Sequence, residues 1–136
     1  MKAMIIVLIS LMMSITAFAA ERNGFTDPTK ILQVSSASQD IALKIRSNPT
    51  TGYSWFLVDY DHDLLTPVSQ TYVPPTSDLV GASGYEVWHF KANTKAFTVP
   101  QLTQITLQQI RPWSAPTDSR KLTFTVAIQK NNKKPE

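Results

Sequence analysis

The chain has 136 residues, with 13 Lys and Arg against 10 Asp and Glu for a formal charge of +3, and it contains no cysteine. Without cysteine there are no disulfide staples, thiolate metal ligands or cysteine nucleophile, so the apolar core alone must hold the fold, even in an oxidising compartment. The charge excess is too small to argue for nucleic acid or a membrane surface as a partner.

The first 19 residues read as an export signal. Met1-Lys2 is a short positive n-region, Met4 to Met13 is a nearly unbroken apolar run, and Ala17-Phe18-Ala19 places small residues where a signal peptidase reads. The apolar run is too short for a comfortable membrane span, and no cysteine is available to carry a lipid anchor. Cleavage is expected after Ala19, with Ala20 the alternative. Cleavage after Ala19 leaves 117 residues with a charge of +2, one domain by size, either periplasmic or secreted.

Residues 20–29 lack periodicity and carry Asn23-Gly24 and Asp27-Pro28, which reads as a flexible leader. The domain is expected over 30–130, and 131–136 is a polar tail whose lysines, with Lys130, are solvated. Lys30 to Val34 reads as a first strand. In the second, Ile41, Leu43 and Ile45 alternate with Ala42, Lys44 and Arg46, which puts one face on a core. Tyr53, Trp55 and Leu57 alternate with Ser54, Phe56 and Val58; both faces are apolar, so this strand reads as central, with Trp55 in the core. A strand from Thr66 to Val73 stops at Pro74-Pro75, which no strand interior accepts.

Tyr85 to Ala92 resumes the alternation, with Trp88 and Phe90 on one face and Val87 and His89 on the other. Lys95 to Leu102 contains Phe97, Val99 and the strand-interrupting Pro100. Ile105, Leu107 and Gln109 then alternate with Thr106, Gln108 and Ile110, and Leu122, Phe124, Val126 and Ile128 form the clearest inward face of all. Residues 20–136 show no helical apolar period. About seven short strands in some hundred residues point to an all-β, immunoglobulin-like antiparallel β-sandwich without a disulfide.

Three connections stand out from this pattern. In Asn48-Pro49-Thr50-Thr51-Gly52-Tyr53, Pro49 fixes its own φ and pushes Asn48 toward extended backbone. Gly52 supplies a positive φ where the turn closes, so a stiff hairpin-like loop holds two threonines at its tip. The long connection from Thr76 ends in Gly81-Ala82-Ser83-Gly84, and long structureless loops in small domains are often functional. Arg111-Pro112-Trp113 follows the sixth strand, where Pro112 ends the alternation and props Trp113 outward. Alternate connections of a sandwich lie at the same end, so 48–52, 76–84 and 111–120 can collect there.

Taken together, Asn-Pro-Thr-Thr-Gly-Tyr-x-Trp at 48–55, Gly-x-x-Gly at 81–84 and Arg-Pro-Trp at 111–113 resemble the chagasin family of cysteine-peptidase inhibitors. Order and spacing match across residues 30–130; each motif alone is weak and the combination is specific. The family's middle loop usually reads Gly-x-Gly-Gly, and Ser83 takes the third place here. The resemblance implies a reversible, tight-binding inhibitor whose partner is a papain-like cysteine peptidase, the cell's own or a host's. Its contact residues would be Asn48, Pro49, Thr50, Thr51, Gly52, Tyr53, Gly81, Ala82, Ser83, Gly84, Arg111, Pro112 and Trp113. By the same resemblance, Thr50 and Thr51 lie over the catalytic cysteine, the Gly81 loop lines the substrate side of the cleft, and Trp113 stacks on an aromatic wall near the catalytic histidine. Arg111 reaches an acidic rim group or folds back on its own sheet.

Other chemistry finds less support in these residues. Asp61-His62-Asp63 invites a metal, but three consecutive residues on a strand or turn point in alternating directions, and the only other histidine is His89. A Ser or Thr nucleophile would need His62 or His89 as base, and neither sits in a nucleophile motif. No enzyme activity, metal or cofactor is therefore expected. The rival class is an exported immunoglobulin-like module that binds carbohydrate or another protein. The inhibitor is expected to act as a monomer, with no membrane partner once the signal is removed.

Overall fold

The computed structural model describes residues 24–114 and 119–130. The expected signal peptide and polar tail therefore lie outside the described residues. Among the described residues seven strands form: β1 (Ile31–Val34), β2 (Ile41–Ser47), β3 (Ser54–Tyr60), β4 (Leu65–Val73), β5 (Gly84–Ala92), β6 (Gln101–Ile110) and β7 (Arg120–Ile128). They build two sheets, one ordered β1-β7-β6-β3 and the other β2-β5-β4. The expected immunoglobulin-like sandwich is the architecture found.

The period-2 pattern shows why these segments are strands. Ile41, Leu43 and Ile45 of one sheet face Ile105, Leu107, Phe124, Val126 and Ile128 of the other, all buried in a single core that includes Trp55, Leu65 and Phe90. Apolar surface removed from water contributes about 25 cal/mol per Å², so this interleaved face is the main stabilising term of a chain with no covalent staple. Trp55 is 4% exposed and its indole N–H donates to the Arg46 carbonyl at 3.1 Å, which satisfies the one polar atom it buries.

Several expectations need correcting. β3 is an edge strand, not a central one: Trp55 points inward, while Phe56 and Val58 stand about half exposed on the outer face. A bulge between Leu57 and Asp59 further bends this edge. β2 and β3 belong to different sheets, so the loop joining them is an arch that crosses the sandwich, not a hairpin. β1 pairs in parallel with β7, Ile31 opposite Thr125 and Val34 opposite Ile128, against the expectation of a wholly antiparallel fold. The aperiodic leader is tied down at Phe25, which exchanges backbone hydrogen bonds with Ala42 and Lys44 of β2 and packs edge-on to Phe124. Asp27 accepts hydrogen bonds from the hydroxyl and N–H of Thr29, and these hold its carboxyl below the usual range.

The end of the sandwich away from the three conspicuous loops is closed. A 3-10 turn at Thr94–Phe97 turns Ala96 and Phe97 into the core. Asn93 donates to the carbonyls of His62 and Asp63, and its own side-chain carbonyl accepts from Thr66. Asp61 caps its turn by accepting the N–H groups of Asp63 and Leu64, and Asp63 meets Lys95 at 3.0 Å. The Asp-His-Asp run is thus a capped turn, with the two carboxylates given to different partners.

Candidate functional site

The three conspicuous connections meet at the other end. In the first, Pro49–Thr51 form one 3-10 turn, with Asn48 extended before it at φ −131° and Gly52 left-handed after it at φ 81°. The turn braces itself: the Thr50 hydroxyl donates to the Asn48 side-chain carbonyl at 2.6 Å, and the Thr51 hydroxyl donates to the Asn48 backbone carbonyl at 2.7 Å. The Gly52 N–H closes the turn on the Pro49 carbonyl at 3.0 Å. Both threonines remain exposed. The arch is therefore stiff for two independent reasons, Pro49 upstream and hydroxyl bracing within.

The other loops are strapped to this arch. The Asn48 amide donates to the Gly81 carbonyl at 3.3 Å, tying the first loop to the second. The Arg111 Nε donates to the Thr51 carbonyl at 3.2 Å, and its guanidinium lies 4.3 Å from the centre of the Tyr53 ring. Of the two orientations open to Arg111 from sequence, the structure has it folded back onto its own molecule. Pro112 and Trp113 sit in a turn closed by the Ser114 N–H on the Arg111 carbonyl at 3.0 Å. Trp113 is 75% exposed, and the edge of its ring covers the bare face of Gly52, where a Cβ would come within 2.9 Å of two ring atoms. Gly52 is thus required twice, by its φ and by Trp113.

Gly81 and Gly84 have different roles. Gly81 takes φ 81° at the loop tip, and a Cβ there would meet nothing. Gly84 is buried as the first residue of β5, opposite Ser47, and a Cβ would collide with the Val73 carbonyl oxygen and the Tyr72 ring. Its close approach is one made within the fold. Ala82 is half-buried, its N–H closing a turn on the Leu79 carbonyl, while Ser83 is exposed.

Two residues at this tip were passed over in the sequence. Leu79 is 77% exposed and Val80 fully so, immediately before Gly81. The signal was present, as two adjacent large aliphatics in a loop otherwise built of Pro, Thr, Ser, Asp, Gly and one Ala. Like Trp113, they are large apolar side chains exposed on these loops.

The geometry can be set beside known proteins. The family model described as Chagasin family peptidase inhibitor I42 matches residues 35–128. Chagasin of Trypanosoma cruzi is 33% identical over 96 residues, spanning 67% of this chain and 81% of that protein. The cysteine protease inhibitor EhICP2 of Entamoeba histolytica superposes with a TM-score of 0.57 at 27% identity, over 79% of this chain and 90% of its own. PbICP-C, solved in complex with falcipain-2, shares the fold with a TM-score of 0.56 at 15% identity, over 79% and 90% of the two chains. The chain belongs to the chagasin family of peptidase inhibitors.

Proposed function

We propose that this protein inhibits papain-like cysteine peptidases reversibly, by inserting the braced loop end into the active-site cleft as a wedge. The observation that carries this is the mutual strapping of three loops at one end, Asn48 to Gly81 and Arg111 to Thr51, beneath an exposed Trp113. A loop that is already rigid loses little conformational entropy on binding. It also resists the distortion that peptide cleavage requires. In this role Thr50 and Thr51 cover the catalytic cysteine, and Leu79 to Ser83 run along the substrate side. Trp113 serves as the aromatic anchor, a residue type that dominates many interfaces. Family membership, together with EhICP2 at 27% identity, supports cysteine peptidases as the target class. We also propose that residues 1–19 direct export and that the inhibitor acts as a monomer.

Titrating the protein lacking residues 1–19 against papain with a fluorogenic substrate tests the proposal. Full, reversible loss of activity is expected, and papain activity unchanged at large inhibitor excess overturns it. A wedge should also bind a papain-like peptidase whose catalytic cysteine is replaced by alanine, and mass spectrometry should find the Asn48–Tyr53 segment uncut after long incubation. Binding that needs the thiol would point to a covalent mechanism instead.

A further inference from the structure

Beside the wedge the sandwich is open. β1 pairs with Thr125–Ile128, so the first half of β7, from Arg120, has β6 on one side and, among the described residues, no strand on the other. β2 edges its own sheet; among the described residues the leader bridges it at Phe25, and Thr26 and Pro28 form one rim of the opening. A cavity of about 330 Å³ opens between these two stretches, floored by Trp55 and Leu122 and walled by Tyr85. Its cations are Lys44 and Arg46 from one sheet and Arg120 from the other, and no acidic residue lines it among the described residues. Among the described residues none of the three forms an ion pair, and the Lys44 ammonium lies 4.3 Å from the centre of the Tyr85 ring.

Unpaired cations on a convex surface are usually just solvated. Three that converge on one concavity with an apolar floor are different, because low-dielectric walls focus their field. The location adds to this. Arg46 precedes Ser47, which pairs with Gly84; Tyr85 follows Gly84; and Arg120 pairs with Gln109, two residues before Arg111. The mouth of the cleft therefore borders all three loops, and Arg111 extends the positive field onto the wedge itself.

We propose that this cleft is a second contact region, one that receives a carboxylate-bearing segment of the peptidase surface beside its active site and speeds capture. The proposal rests on the inhibitor reading above. Long-range charge acts mainly on the association rate and is screened by salt, whereas a wedge already seated is held by its packed contacts. The double substitution Arg46→Gln with Arg120→Gln removes a cation from each sheet and leaves the strapping bonds untouched.

The test uses progress-curve association rates for wild type and the double variant, on a papain-like peptidase of net negative charge, from low to high sodium chloride. At low salt the variant should associate about tenfold more slowly, its salt dependence should flatten, and the two proteins should converge at high salt, with dissociation unchanged. Identical association rates and salt slopes, with both proteins inhibiting and melting alike, overturn the cleft and leave the wedge standing. A wild type that fails to inhibit at any salt overturns the inhibitor reading, and this proposal with it.

Discussion

The two ends of the sandwich are braced in similar ways and finished in opposite ways. Each has an asparagine that ties neighbouring connections together, Asn48 at the loop end and Asn93 at the other. Around Asn93 Ala96, Phe97 and Leu65 are buried and help close the core, though Val99 on the same connection is 56% exposed. Around Asn48 the apolar side chains go outward, with Leu79, Val80 and Trp113 largely in solvent on loops strapped to one another by polar bonds and by the Trp113 ring on Gly52. A chain with no partner for its loop end would gain by turning those residues inward, as the far end does. Holding them out forgoes hydrophobic stabilisation that a partner covering them would return.

That contrast can be broken by substitution, starting with the largest expected effect. Trp55→Ala empties a core position between the two ends and should cost about 3–5 kcal/mol of stability, read from a denaturant unfolding curve. Trp113→Ala should leave that curve within about 0.5 kcal/mol of wild type. It should instead weaken inhibition about thirtyfold, the equivalent of roughly 2 kcal/mol. If the two variants melt alike, the ends do not differ as described. Asn93→Ala should lower stability by roughly 1.5 kcal/mol through lost bonds at the closed end and leave the inhibition constant unchanged. Asn48→Ala is the mirror experiment. It should cost about 1 kcal/mol or less in stability, because its side chain makes two hydrogen bonds where Asn93 makes three, yet raise the inhibition constant several-fold by loosening the strap to Gly81.

Much of this was legible in the sequence because it follows local rules. Alternation located the strands, since Ile41, Leu43 and Ile45, or Phe124, Val126 and Ile128, leave one face no choice. Pro49 and Gly52 announced a rigid turn, and a tryptophan after Pro112 announced exposure. The misreadings fall where the cause is not local. The outer face of β3 carries Phe56 and Val58, which look like burial on both sides, but their neighbours in space are solvent. The pairing of β1 with β7 leaves no short-range trace, and a single bridging residue such as Phe25 has no period to detect. Gly81 and Gly84 are one residue type in one motif. Only the positions of Val73 and Tyr72 show that the second is kept for packing.

The parallel seam between β1 and β7 bears on how the molecule is assembled. It sets nearly the first described strand against the last, Ile31 against Thr125, so a sheet begun early in synthesis has to wait for the final strand before that edge is filled. Until then β6 and β3 can join, but the inward faces of Val34 and of the arriving β7 have nothing to cover them. Closing so long a loop is slow, and domains dominated by distant strand pairs fold on the order of milliseconds to seconds. During that interval an incomplete chain presents bare strand edges to its neighbours. A form ending before Arg120 is therefore expected to expose more bare strand edge, and to aggregate more readily, than the full chain, in which β1 joins the second half of β7 along Thr125–Ile128.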